Sequence, residues 1–107
     1  MRDRYRRLAM LRVLHCDDDK TFRFLVRAVL DEEADIELAG EAFDARSCIA
    51  LTAELQPDVV LLDESMPGMS GLEAIPRIDE ACPAASVRKT ALRPGTNEAG
   101  SAAFFSC

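Results

Sequence analysis

Two runs of aspartate carry the chemistry that this sequence offers. Asp17, Asp18 and Asp19 close a short apolar run, Leu11 to Cys16, and Asp63 closes a second, Val59 to Leu62. Carboxylates gathered in one place repel one another, and their pKa values rise unless something positive joins them. A hard divalent cation resolves that conflict. Mg2+ prefers oxygen ligands and is typically held by one or two carboxylates plus phosphate oxygens. Such an ion also prepares a site for phosphoryl transfer, because it neutralises charge on the transferring group. A carboxylate beside it can act as nucleophile and form an acyl phosphate. The plainer alternative is that Asp17–Asp19 cap a helix and Asp63 caps a turn. Both runs end apolar segments, and Pro67-Gly68 follows the second, which favours a shared site.

The elements that must bring these acids together are legible in the periodicity. Leu11–Cys16 reads as a buried strand. Phe22, Leu25, Val26, Val29 and Leu30 then fall on one helical face, with Arg23 and Arg27 off it, and Asp18 or Asp19 can cap the start. Ile36, Leu38, Gly40 and Ala42 alternate with Glu37 and Glu41, as in a half-exposed strand. Ala45, Cys48, Ile49, Thr52 and Leu55 return to helical spacing between a cap at Asp44 and a stop at Pro57. Val59–Leu62 is apolar on both faces, as a central parallel strand is. Ser70 and Glu73 form a capping box for a third helix through Leu72, Ile75, Ile78 and Cys82, with Pro76 expected to kink it. His15, Cys16, Met66 and Met69 read as packing residues.

A β-α-β-α-β-α order implies an α/β fold with a parallel sheet and right-handed crossovers. In open sheets of this kind ligands bind beyond the carboxyl ends of the strands, at the switch point of the strand order. If strands 1 and 3 are neighbours (order 2-1-3), Asp17–Asp19 and Asp63 share one pocket.

The 107 residues suffice for one domain, and the composition, 49% hydrophobic and 30% charged, is that of a globular chain. No apolar run approaches the ~20 residues of a membrane span. The apolar stretch Leu8–Leu11 is also too short for a signal peptide's core of roughly 7–15 residues, so a cytoplasmic location is expected. Charge is uneven: residues 1–12 sum to +4, 13–83 to -12 and 84–107 to +2. An acidic middle does not favour nucleic acid but suits a cation site. The basic start reads as an extension over residues 1–10, upstream of an internal start at Met10. Four cysteines with no C-x-x-C pair give neither a zinc site nor a disulfide framework, so reduced thiols are expected.

Leu11-Arg12-Val13-Leu14-His15-Cys16-Asp17-Asp18-Asp19 resembles the first strand and acidic pair of bacterial response-regulator receiver domains. Val59 to Gly71, with Asp63-Glu64-Ser65-Met66-Pro67-Gly68 at its centre, resembles their phosphorylation strand and loop. The resemblance covers about residues 11–83 and implies a flavodoxin-like receiver fold. It implies Asp63 as phospho-accepting aspartate and Asp17 and Asp18 as the pair holding Mg2+ with Asp63. Ser65 would lend its backbone carbonyl to the metal. The implied reaction takes a phosphoryl group from a histidine kinase and ends in slow self-catalysed hydrolysis, so the chain is a phosphoacceptor at most, not an enzyme with turnover on a separate substrate.

The resemblance weakens after about residue 86. The only further strand candidate is Ser86–Leu92, interrupted by Arg88 and Lys89, in which Thr90 faintly resembles the family's switch position. No Lys follows Lys89 to stand at the end of a fifth strand, and Arg93-Pro94 is a poor substitute. The expected organisation is therefore a partial receiver over 11–92 and a disordered tail over 93–107, as in a truncated or frame-shifted receiver. Without a strand 4, Val59–Leu62 would be an apolar edge. With the sheet face beside helix 1 also bare, a homodimer or domain-exchanged dimer is expected. Two other functions are open. One is a receiver-like interaction module without phosphotransfer. The other rests on Asp17-x-Asp19-x-Thr21, which resembles the first motif of haloacid-dehalogenase-type phosphatases, with Asp17 as nucleophile, Asp19 as general acid and Mg2+ as cofactor. No DNA-binding segment is evident.

Overall fold

The computed structural model describes residues 10–64, 66, 68–90 and 104–106, with only the backbone of 89, 90 and 104–106. The elements run β1 (Leu11–Cys16), α1 (Lys20–Asp31), β2 (Ile36–Ala42), α2 (Ala45–Leu55), β3 (Val59–Asp63), α3 (Gly71–Ala81), β4 (Ser86–Thr90) and β5 (Phe104–Ser106). They form an α/β fold whose sheet has the order β2-β1-β3-β4-β5. Four strands are parallel, as in flavodoxin-like receiver folds, and β5 is antiparallel to β4.

Alternation along the strands divides the apolar residues between the two faces. Leu14 and Cys16 of β1, Val60 and Leu62 of β3 and Val87 of β4 face one way. They pack with Ala45 and Cys48 of α2 and Ala74 and Ile78 of α3 in one buried cluster. Val13, His15 and Leu61 face the other way and are also buried. That face carries α1, whose Phe22 ring meets the His15 ring edge-on at 5.7 Å. No side chain of α1 is itself buried.

The helices start where short polar side chains can satisfy free N–H groups. Asp19, not Asp18, caps α1, accepting from the backbone N–H of Thr21 and Phe22 at 2.9 and 3.2 Å. Asp44 with Ser47, and Ser70 with Glu73, form reciprocal capping boxes for α2 and α3. α2 ends on Gln56 in the left-handed conformation, φ 48°. The Arg12 guanidinium donates to the carbonyls of Leu55 and Gln56 at 2.8 and 3.1 Å, so a basic side chain from β1 satisfies that helix end.

Three expectations need correction. β3 is not an edge, because β4 pairs with it from Val59↔Ser86 to Asp63↔Thr90. Arg88 and Lys89 do not prevent this: Val87 is 2% exposed against the core, and the Ser86 N–H donates to the Asp58 carbonyl at 2.9 Å. Domain exchange through a bare β3 therefore loses its basis. Phe104–Ser106, expected within a disordered tail, pair with Arg88–Thr90. Cys16 and Cys48, expected as separate thiols, are joined in a disulfide, their Cα atoms 5.9 Å apart. The end of β1 and the first turn of α2 meet inside the core, which spacing along the chain does not reveal. Cys82 is a buried free thiol. The extension over 1–9, Ser65 and residues 91–103 lie outside the described residues.

Candidate functional site

β1 and β3 are parallel neighbours, paired from Val13↔Val59 to Cys16↔Leu62. Asp17 leaves β1 and Asp63 ends β3 at the same rim of the sheet. Asp17, Asp18 and Asp63 each offer one carboxylate oxygen, and these oxygens all lie within 4.8 Å of one another. Asp17 and Asp63 are each 1% exposed, whereas Asp18 opens to solvent. The group is thus reached from one side, with Asp18 at its mouth. An all-oxygen, anionic donor set of this kind fits a hard divalent cation such as Mg2+ and offers no sulfur that would favour a soft metal.

Several groups fix Asp17. Its N–H donates to the Ala42 carbonyl of β2 at 3.0 Å. Its Oδ1 accepts from the Asp19 N–H at 2.8 Å, which turns the chain into α1. Its backbone carbonyl accepts from Arg23 Nη1 at 2.7 Å. Arg23 also lies 3.9 Å from Glu41, and Arg27 makes a two-pronged pair with Glu41 at 2.8 and 3.0 Å. The arginines that periodicity placed off the apolar face of α1 therefore tie that helix to β1 and β2 beside the acids. Their position one and two turns after the Asp19 cap was the available signal.

Asp63 is fixed by close approach of α3. A Cβ on Gly71 would lie 2.8 Å from the Asp63 carbonyl oxygen and 2.9 Å from Glu64 Cα. Only a glycine lets the helix start press on the strand end, and the Gly71 N–H donates to the Glu64 carbonyl at 3.0 Å. In the sequence Gly71 only closes the Val59–Gly71 motif, and nothing in that motif's spacing signals this contact. Gly68 has φ +86° in the same loop, a conformation that suits glycine.

His15 lies under the group, wholly buried, with Nε2 3.9 Å from Asp17 Oδ2. Burial drives its pKa down to about 4, against the opposing charges of Glu41 and Asp63, so it is neutral near pH 7. Of the remaining sequence candidates, Asp19 is engaged as a helix cap outside the three-acid group. Ser65 lies outside the described residues, and Thr90 ends β4 directly opposite Asp63 in the register. The described residues include no helix long and apolar enough to cross a membrane.

A doubly wound sheet with four parallel strands and a group of acids at the carboxyl ends of its central strands defines an α/β domain of the open-sheet class, in which ligand sites lie at that rim. Comparison with known proteins narrows it. A family model described as the response regulator receiver domain matches residues 13–90, and the chain belongs to that family. The transcriptional regulatory protein LiaR of Bacillus subtilis is 45% identical over 69 residues, which is 64% of this chain and 33% of LiaR. A protein-glutamate methylesterase/protein-glutamine glutaminase of Agrobacterium fabrum is 44% identical over 70 residues, 65% of this chain and 20% of that protein. Among solved structures, the response regulator domain of Thermotoga maritima CheB aligns with a TM-score of 0.70 at 29% identity, covering 80% of this chain and 65% of that domain. The chain thus spans a third or less of these two curated relatives. They are named for different activities, so what they share with this chain is the receiver segment.

Proposed function

We propose that this receiver domain is a phospho-acceptor in two-component signalling, taking a phosphoryl group onto Asp63 from the phosphohistidine of a histidine kinase. The observation that carries the reading is the meeting of the Asp17, Asp18 and Asp63 carboxylates within 4.8 Å at the rim of neighbouring strands. Asp17 and Asp18, with Asp63 and the backbone carbonyl of Ser65, would hold Mg2+. When bound, the ion would offset the charge of these carboxylates and of the incoming phosphoryl oxygens. Asp63 attacks phosphorus through a carboxylate oxygen. An O–P bond forms, the P–N bond to the donor imidazole breaks, and the imidazole leaves with its electron pair. Hydrolysis returns the carboxylate and releases inorganic phosphate. The kinase, a cytoplasmic setting and the Mg2+ requirement belong to this proposal.

The phosphatase reading is disfavoured by a specific contact. Asp19, its general acid, has Oδ1 committed to the N–H groups of Thr21 and Phe22. The inert-module reading draws on the absence of any Lys after Lys89 in the sequence. Intact mass after incubation with a small-molecule phosphodonor separates the phospho-acceptor from the inert module. The expected result is a gain of one phosphoryl group that needs Mg2+ and is lost in Asp63→Asn. No gain under any condition overturns the proposal in favour of the inert module.

A further inference from the structure

Asp17 and Asp18 share one peptide group, and the side chain of Arg23 holds it. Peptide planarity ties the Asp17 carbonyl to the N–H and Cα of Asp18, so a group that fixes this carbonyl also fixes where Asp18 starts. Arg23 Nη1 donates to that carbonyl at 2.7 Å. The other two acids have holds of their own: Asp17 through its N–H and Oδ1, and Asp63 through the press of Gly71 on its carbonyl. Asp18 opens to solvent, so the peptide from which it hangs matters most for it.

Arg23 is itself fixed on several sides. Its N–H donates to the Asp19 carbonyl at 2.9 Å, in the turn that Asp19 caps. Its Nε lies 3.9 Å from Glu41, whose carboxylate Arg27 grips from the other side. Its guanidinium carbon stands 5.5 Å from the centre of the Phe43 ring. A planar guanidinium can serve a carbonyl and a carboxylate at once. Arg27, one turn further along α1, spends both of its bonds on Glu41. Its side chain is 55% exposed, against 17% for Arg23.

We infer that Arg23 is a positioning residue of the acid group: by holding the Asp17–Asp18 peptide it sets these two carboxylates for a divalent cation, without being a ligand itself. The inference rests on the phospho-acceptor reading, in which that cation is Mg2+. The sign of the effect separates positioning from charge. Through charge alone, loss of a cation beside three carboxylates would tighten Mg2+ binding. Through positioning, it weakens it.

The test is the Mg2+ dissociation constant of the full chain by isothermal titration calorimetry, with no phosphodonor, at a temperature where each variant is folded by circular dichroism. Arg23→Met keeps the aliphatic stem and loses the donors and the charge. It should bind Mg2+ about tenfold more weakly. Arg27→Met removes the same charge one turn away and should stay within about twofold of wild type. Phe43→Leu leaves every charge and donor in place. It should weaken binding roughly twofold, with no further loss in the Arg23→Met background. If Arg23→Met does not fold, Phe43→Leu in the wild-type background decides. With phosphodonor and saturating Mg2+, Arg23→Met should take up phosphoryl at a rate near wild type, because Asp63 is held by Gly71 and not by Arg23. An Arg23→Met chain that binds Mg2+ as well as wild type, or better, overturns the inference. So does an Arg27→Met chain that loses as much, a Phe43→Leu effect that is absent or persists without Arg23, or uptake that saturating Mg2+ does not restore. A wild type that binds no Mg2+ overturns the phospho-acceptor reading itself, and the role of Arg23 with it.

Discussion

Nε2 of His15 stands 3.9 Å from Oδ2 of Asp17, with the imidazole wholly buried and the carboxylate residue 1% exposed. That distance is beyond a hydrogen bond, and neither ring nitrogen has a hydrogen-bond partner among the described residues. The ring is therefore held neutral by burial, with its pKa lowered to about 4. The folded-state value lies below the unfolded one, near 6.5. Below pH 6.5 the unfolded chain gains a proton that the folded chain refuses. The stability present above pH 6.5 is lost progressively as pH falls toward 4, by about 2–3 kcal/mol from this group. Denaturant unfolding in a chelator, from pH 7.5 to 4.5, should show wild type losing ground to His15→Leu by that amount. A constant difference between the two chains contradicts the assignment.

Asp18 is the exposed member of the three-acid group, and removing its charge should act oppositely with and without a divalent ion. In a chelator, Asp18→Asn relieves repulsion with Asp17 and Asp63 and should raise stability by roughly 0.5–1 kcal/mol. With Mg2+ in excess, wild type gains the linkage term RT ln(1 + [L]/Kd), about 2.7 kcal/mol at a hundredfold excess over Kd, and the variant gains less. Thermal melts at matched pH, with and without millimolar Mg2+, measure the crossover. Parallel shifts in both proteins would mean that Asp18 does not face the ion.

The acid group was legible because it needs only two facts, both local. Each aspartate run follows an apolar strand, and strands joined by single helices lie parallel. The caps at Asp44 and Ser70 were legible for the same reason, since a short polar residue before a periodic run has one ready role. β4 was harder. Arg88 and Lys89 break its apolar pattern, and a strand inside a parallel sheet is recognised by the neighbour that covers it, here β3, more than by its own residues. The Cys16–Cys48 pairing and the press of Gly71 on Asp63 are tertiary contacts between elements. No periodicity within one element encodes them.

The Cys16–Cys48 link ties β1, one residue before Asp17, to the first turn of α2, across a sequence separation of 32. A cross-link closing a loop of that size limits the unfolded chain and contributes about 2–4 kcal/mol. The oxidised chain should unfold at a higher denaturant midpoint than the same chain in excess reductant, while Cys48→Ala should be insensitive to reductant. Thiol titration of denatured, unreduced protein should find two reactive groups of the four cysteines. Four reactive groups would mean that the pair is reduced in solution.

Gly71 couples the start of α3 to the end of β3, and its substitution should separate a local distortion from a general loss of fold. A methyl group there meets backbone at 2.8 and 2.9 Å on both sides of the Asp63–Glu64 peptide. Backbone cannot rotate away as a side chain would, so either α3 retreats or the Asp63 carbonyl shifts. Gly71→Ala should cost about 1–3 kcal/mol, the usual range for overpacking, even though alanine is the better helix former. The shift also falls next to the carboxylate proposed as acceptor. Phosphoryl uptake by the folded variant, compared with wild type at a temperature where both are folded by circular dichroism, should therefore slow about tenfold or more. Stability lost with uptake unchanged would show that α3 yields and Asp63 stays in place.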